Sequence, residues 1–171
     1  KLAAEAGIEI HQVHGPWRWP PEDFSPENRI ERMEKMQRSI RAAWLLGVKN
    51  WVVHPLMPFG IEDIGTGNEQ ATWDINVEFM QQLLTTAKEY DVTICLENMP
   101  MPKFSLGSVS DVLRFVKRIN DRHFKICLDT GHVAVFPGGS PADALRNLGS
   151  EVRVLHIHDN DRIHDDHQIP F

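Results

Sequence analysis

The chain has 171 residues, 42% of them apolar and 25% charged, with a net charge of −6. This is the makeup of a single globular domain with a real core, and its acidic balance offers no electrostatic draw to nucleic acid or to an anionic membrane. No apolar run approaches the roughly 20 residues that span a bilayer, no signal-peptide pattern opens the sequence, and two cysteines make no disulfide framework, so a cytoplasmic protein is expected.

The first apolar run, IEIHQVH at 8–14, reads as a strand, and the loop GPWRWPPEDF follows it. Ser25-Pro26 then has the form of an N-cap with a first-turn proline, opening a helix that runs to about Leu46, where Gly47 stops it. Ile30, Met33, Met36, Ile40, Ala43 and Trp44 make one apolar stripe along it. NWVVH at 50–54 is the second strand, followed by the loop PLMPFGIEDIGTGN and a helix from near Glu69 to Tyr90 with Ile75, Phe79, Leu83 and Ala87 on one face. VTICLE at 92–97 is the third strand, the loop NMPMPKFSLG leads to a helix over 109–119, and FKICLD at 124–129 is the fourth strand. After VAVFPGG, Ser140-Pro141 begins a helix that ends at Gly149, and VRVLHIH at 152–158 is the fifth strand. Strand and helix alternating in this way predict right-handed βαβ units and a parallel sheet.

Helix-to-strand connections are short, whereas strand-to-helix connections are long and apolar, so the site is expected at the C-terminal edge of the strands. Each predicted strand ends in a side chain able to bind metal: His14, His54, Glu97, Asp129, and His156 with His158. The segment Ile-Cys-Leu occurs twice, at 94–96 and 126–128, and each copy runs straight into a carboxylate. A charge beside a buried run costs several kcal/mol unless something pairs with it, and a cation is such a partner. By strand parity Glu97 shares its face with Cys95, and Asp129 with Cys127. Imidazoles with carboxylates suit zinc, manganese or iron, and the two cysteines read as small buried hydrophobes.

The series H-G-P-W, V-V-H-P, C-L-E-N, L-D-T-G-H, L-H-I-H-D and D-D-H-Q-I-P resembles the xylose isomerase-like TIM barrels, a superfamily holding sugar (phosphate) isomerases and epimerases and endonuclease IV-type abasic-site enzymes. The resemblance covers essentially the whole chain as one domain over 1–171 and implies an α/β fold, a partial (β/α)8 barrel from about strand three to strand seven. Such a barrel takes about 250 residues, so the first two strands and the last, with its glutamate, are expected to lie outside this sequence. An open flank of that kind favours association into a homo-oligomer.

In the epimerase branch the resemblance implies that Glu97, Asp129 and His156 hold one divalent ion, Zn or Mn, and that His132 and Arg162 hold substrate oxygens. In the endonuclease branch it implies further ligands at His14, His54, His132, Asp165 and His167, with Asp166 an alternative to Asp165. The epimerase reading gives proton transfer on a sugar or sugar phosphate through a metal-stabilised enediolate, with Glu97 and His132 catalytic. Trp17, with His14 beside it, would contact the sugar, and Trp19, Met99, Phe104 and Phe136 would close an apolar wall or else pack their own loops. The endonuclease reading is a zinc phosphodiesterase, but GPWRWPPEDF carries one Arg against two acids and PLMPFGIEDIGTGN two acids and no base, which suits a phosphate backbone poorly. A barrel that binds metal or sugar without turnover is the third reading.

The remaining histidines read more plainly. His11 lies on the opposite strand face from His14 and is expected to pack against a helix, His123 to lie on the surface at the far end, and His164 to be solvated at a loop tip. His158 reads equally as facing the pocket or not, and Asp159-Asn160-Asp161 as orienting ligands or as a turn. PGG at 137–139 lacks the Lys-Ser/Thr of a phosphate loop, although the helix N-terminus near Ser140 offers a place for a substrate phosphate.

Overall fold

In the computed structural model, residues 2–17 and 19–170 are described. A short helix α1 (Leu2–Glu5) precedes β1 (Gln12–His14), α2 (Pro26–Leu45), β2 (Asn50–Val53), α3 (Glu69–Glu89) and β3 (Thr93–Glu97). Next come α4 (Val109–Ile119), β4 (Phe124–Asp129), α5 (Thr130–Val135), α6 (Pro141–Leu148), a 3-10 turn (Gly149–Glu151) and β5 (Val152–His156). The five strands form one sheet in the order β1-β2-β3-β4-β5, and every pairing is parallel. This is half of a TIM barrel.

The local reasons are those written in the sequence. Ser25 Oγ accepts from Asn28 N at the start of α2, Ser108 and Asp111 form a reciprocal capping box on α4, and Ser140 caps α6 ahead of Pro141. The sheet has two unlike faces, set by period-2 alternation. Trp51, Val53, Ile94, Leu96, Ile126 and Leu128 join the main core with the helices, while Val52, Cys95, Cys127 and Val154 form a small second cluster on the concave face. Continuing that concave face by two residues along each strand reaches His54, Glu97, Asp129 and His156. Fully burying one large apolar side chain is worth about 1.5–3 kcal/mol, so the convex core holds the scaffold while the thinner concave layer serves as floor to the site.

Several expectations are corrected. The first strand pairs only over Gln12–His14, because Ile8 and Ile10 are exposed and find no packed face. The fifth strand stops at His156, leaving His158 beyond it. The stretch after Asp129 is not simply a loop: the Asp129 side chain accepts from His132 N at 2.8 Å and caps the six-residue α5. His123 is buried rather than on the surface, with Nδ1 3.2 Å from the Val92 carbonyl oxygen. His11 is exposed rather than packed against a helix. Phe104 belongs to the core, not to a wall over the site. No helix among the described residues is long and apolar enough to cross a membrane.

Candidate metal centre

Glu97 occupies the middle of the concave rim, with its side chain 2% exposed. Its Oε2 lies 3.1 Å from His14 Nε2 and 3.2 Å from His54 Nε2, and its Oε1 lies 2.9 Å from His156 Nδ1 and 3.7 Å from His132 Nδ1. Burial by itself raises the Glu97 carboxyl, but hydrogen bonds from His14, His156 and His54 outweigh it and hold the group well below the ordinary carboxylate range. Asp129 is buried beside it, with Oδ2 3.7 Å from His156 Nδ1 and without a hydrogen-bond partner. A buried carboxylate oxygen left this way is a place for a cation.

The imidazoles are oriented by backbone carbonyls. His14 Nδ1 is 2.7 Å from the Gly15 oxygen and His132 Nδ1 is 2.6 Å from the Asn98 oxygen, so each ring donates there and turns Nε2 to the site. His132 Nε2 then meets Asp165 Oδ2 at 3.3 Å, and His167 Nε2 meets the same oxygen at 3.3 Å. Asp165 rather than Asp166 faces His132; Asp166 lies in a separate exposed group with Asp161 and His164. Burial lowers the affinity of His132 for its proton, but Asp165, Asp129 and Glu97 outweigh this and raise its pKa to about 8. His156 is raised by its hydrogen bond to Glu97 against burial, whereas burial wins at His54 and lowers it.

The donor spacing fits divalent ions. Around a tetrahedral ion with ligands at roughly 2.0–2.1 Å, neighbouring donors stand roughly 3.3 Å apart, and the His14–His54, His14–Glu97 and His132–Asp165 separations are 3.2, 3.1 and 3.3 Å. Three neighbouring groups able to hold a metal ion result: His14, His54 and Glu97; Glu97, Asp129 and His132, with His156 against Glu97; and His132, His158, Asp165 and His167.

Above the rim lies a cavity of about 530 Å³, within the usual range of small-ligand sites. His14, His54, Glu97, His132, His156, Asp165 and His167 line it on one side, and Trp17, Trp19, Met57, Ile61, Met99 and Met101 on the other. Trp17 tilts against His54 with ring centroids 5.7 Å apart. Phe136 and Arg162 are not among the lining residues, and Arg162 is exposed with a left-handed φ of 67°.

The sequence reading missed two supports. Asn98 clamps β3 to β4, donating from Nδ2 to the Asp129 oxygen at 3.1 Å and accepting from Asp129 N at 2.8 Å; its place directly after Glu97 was the only signal. Asp23, fully buried, takes both oxygens to Arg32 Nη1 and accepts from Met57 N, tying the first loop to the second beside the cavity. No spacing announces that pair.

A parallel half-barrel whose C-terminal rim gathers imidazoles and carboxylates under an apolar cavity defines a barrel protein equipped to hold divalent metal. The chain belongs to the xylose isomerase-like TIM barrel family, whose profile matches residues 1–171. It is 29% identical over 164 residues to an uncharacterized protein of Methanocaldococcus jannaschii, covering 91% of this chain and 53% of that one. It is 26% identical over 136 residues to the probable endonuclease 4 of Acholeplasma laidlawii, covering 77% and 44%. Over 88 residues it is 31% identical to the D-psicose 3-epimerase of Enterocloster bolteae, covering 51% and 29%. A crystal structure of a D-tagatose 3-epimerase-like protein superposes with a TM-score of 0.79 at 28% identity, covering 97% of this chain and 62% of that one. The chain thus spans about half the length of the curated relatives it matches.

Proposed function

We propose that this chain carries most of the active site of a divalent-metal-dependent isomerase or epimerase acting on a sugar or sugar phosphate. The observation that carries the reading is Glu97, a buried carboxylate kept ionised among His14, His54 and His156 at the floor of an apolar cavity. The family membership and the epimerase relatives point the same way. Glu97, Asp129 and His156 would hold the ion, Zn or Mn by donor type. When bound, such an ion supplies Lewis-acid polarisation of a sugar carbonyl and neutralises the charge that develops when the neighbouring carbon loses its proton.

Glu97, ionised at neutral pH, stands ready to accept that proton. His132, held by Asn98 on one side, presents Nε2 toward a substrate oxygen. His14 and Trp17 flank the sugar, and Trp19, Met99 and Met101 keep water from the reacting carbon. Arg162, exposed outside the cavity lining, is not needed by this reading.

The full-length protein, purified without chelators, should contain Mn or Zn and should exchange a carbon-bound proton of one member of a ketose panel with solvent deuterium. A metal-loaded protein that exchanges none of the panel would overturn the assignment. A second reading is favoured by the two further donor groups that share Glu97 and His132 with the first: a zinc phosphodiesterase on abasic DNA. Nicking of an abasic oligonucleotide, with sugars inert, would establish it instead.

A further inference from the structure

We propose that His158 is the fourth protein donor of a separate rim site with His132, Asp165 and His167, and that an ion held there is structural, pinning the 157–170 excursion to the end of β4. The inference rests on the reading that this rim binds divalent metal, and it gives one of its groups a different task.

Three observations converge on His158. Its Nε2 is buried without a hydrogen-bond partner, although it stands 2.9 Å from Asp129 Oδ1 and 3.6 Å from Asp165 Oδ1. The approach to Asp129 is close but misdirected for a hydrogen bond, and the side chain is only 8% exposed. A buried imidazole nitrogen in this condition costs about 1–3 kcal/mol unless something takes it up.

Second, the ring is seated where only glycine permits it. A Cβ on Gly131 would lie 2.0 Å from His158 Cε1 and 2.5 Å from both ring nitrogens. Gly131 has no positive φ to explain it; the close approach does. His167 stacks on His158 with centroids 4.0 Å apart and planes 8° apart, and the four donor atoms all lie within 4.8 Å of one another. Three imidazoles and one carboxylate fill a tetrahedral zinc shell without leaving a place for water or substrate, which is the mark of a structural site.

Third, the excursion needs a staple. None of residues 157–170 is buried, and Ile163 and Ile169 are 70% and 89% exposed. An excursion of this length without a core of its own is unusual. Its backbone ties are few: the Asp159–Gln168 bridge at 2.9 and 2.8 Å and the Asn160 bond to the Gly131 oxygen at 2.8 Å. The side chains it turns inward are His158, Asp165 and His167. Metal binding supplies folding energy to a segment of this kind.

The test uses full-length protein, zinc as the probe, elemental analysis for ion count and trypsin cleavage after the exposed Arg162 for the state of the excursion. Zinc-loaded protein should resist cleavage there, and chelation should expose it. His158→Ala should hold one ion fewer and be cleaved about tenfold faster in zinc. Gly131→Ala should do the same by displacing the ring, and His158→Cys, which restores a zinc donor, should recover both ion and protection. Unchanged ion count and protection in His158→Ala, while Glu97→Ala loses metal, would overturn this inference alone. Wild-type protein that retains no ion would overturn it together with the metal reading of the whole rim.

Discussion

Glu97 Oε2 stands 3.1 Å from His14 Nε2, although their strands, β3 and β1, are separated by β2. In a flat sheet, strands two apart lie roughly 9.6 Å from one another. The contact exists because the sheet curls, and the same curvature brings His156 of β5 within 2.9 Å of the other Glu97 oxygen. One carboxylate therefore gathers donors from both edges of the half-barrel.

Replacing Glu97 by Ala, or Asp129 by Ala, should abolish tight divalent-metal retention. Elemental analysis after gel filtration checks this, and full retention in both variants would contradict the site as drawn.

Asn98→Ala removes two hydrogen bonds to the Asp129 backbone in a fully buried setting. With each stranded partner costing about 1–3 kcal/mol, the urea midpoint should fall by the equivalent of about 2–4 kcal/mol. Metal affinity should drop about 10–100-fold as Asp129 and His132 lose their alignment.

Asp23→Ala leaves Arg32 largely buried without its carboxylate and Met57 N without an acceptor. The loss should be about 3–5 kcal/mol, read as a lower Tm. The double variant Asp23→Ala/Arg32→Met should recover part of it, since the cost lies in the stranded charge.

Trp17 is 58% exposed, so Trp17→Ala should move stability by no more than about 0.5 kcal/mol. Substrate-dependent proton exchange should nevertheless fall, with the loss in KM if the indole serves mainly to hold the sugar.

Burial pushes the Cys95 thiol up to about 12, and Cys127 is raised for the same reason. An unfolded thiol ionises near about 8.5, so above that pH the unfolded chain holds fewer protons than the native one and stability should decline as pH rises. Alkylation at pH 8 should be slow in the native protein and fast in urea; rapid native labelling of either thiol would contradict the burial.

Much of the site was legible because strand parity and strand ends are local properties. Ile-Cys-Leu followed by an acid marks an apolar face running to a rim, and the structure puts both acids on that rim. Less legible were features that depend on what another segment does. Asp129 caps α5 as well as facing the site, His123 is covered by the neighbouring β3, and Phe104 turns from the loop into the core. Residues 8–11 carry a strand's alternation without a strand's pairing, since alternation describes a face but supplies nothing to cover it.

The sequence by itself determined the parallel order of elements, the caps that start α2, α4 and α6, and the set of side chains that arrive at the C-terminal edge, all of which follow from short-range periodicity and backbone chemistry. Only the tertiary structure decided which of those side chains meet. Curvature of the sheet joins His14, Glu97 and His156 across five strands, and the absent Cβ of Gly131 lets His158 reach the end of β4. Convergence is a matter of distance between segments far apart in the chain, and no local pattern encodes it.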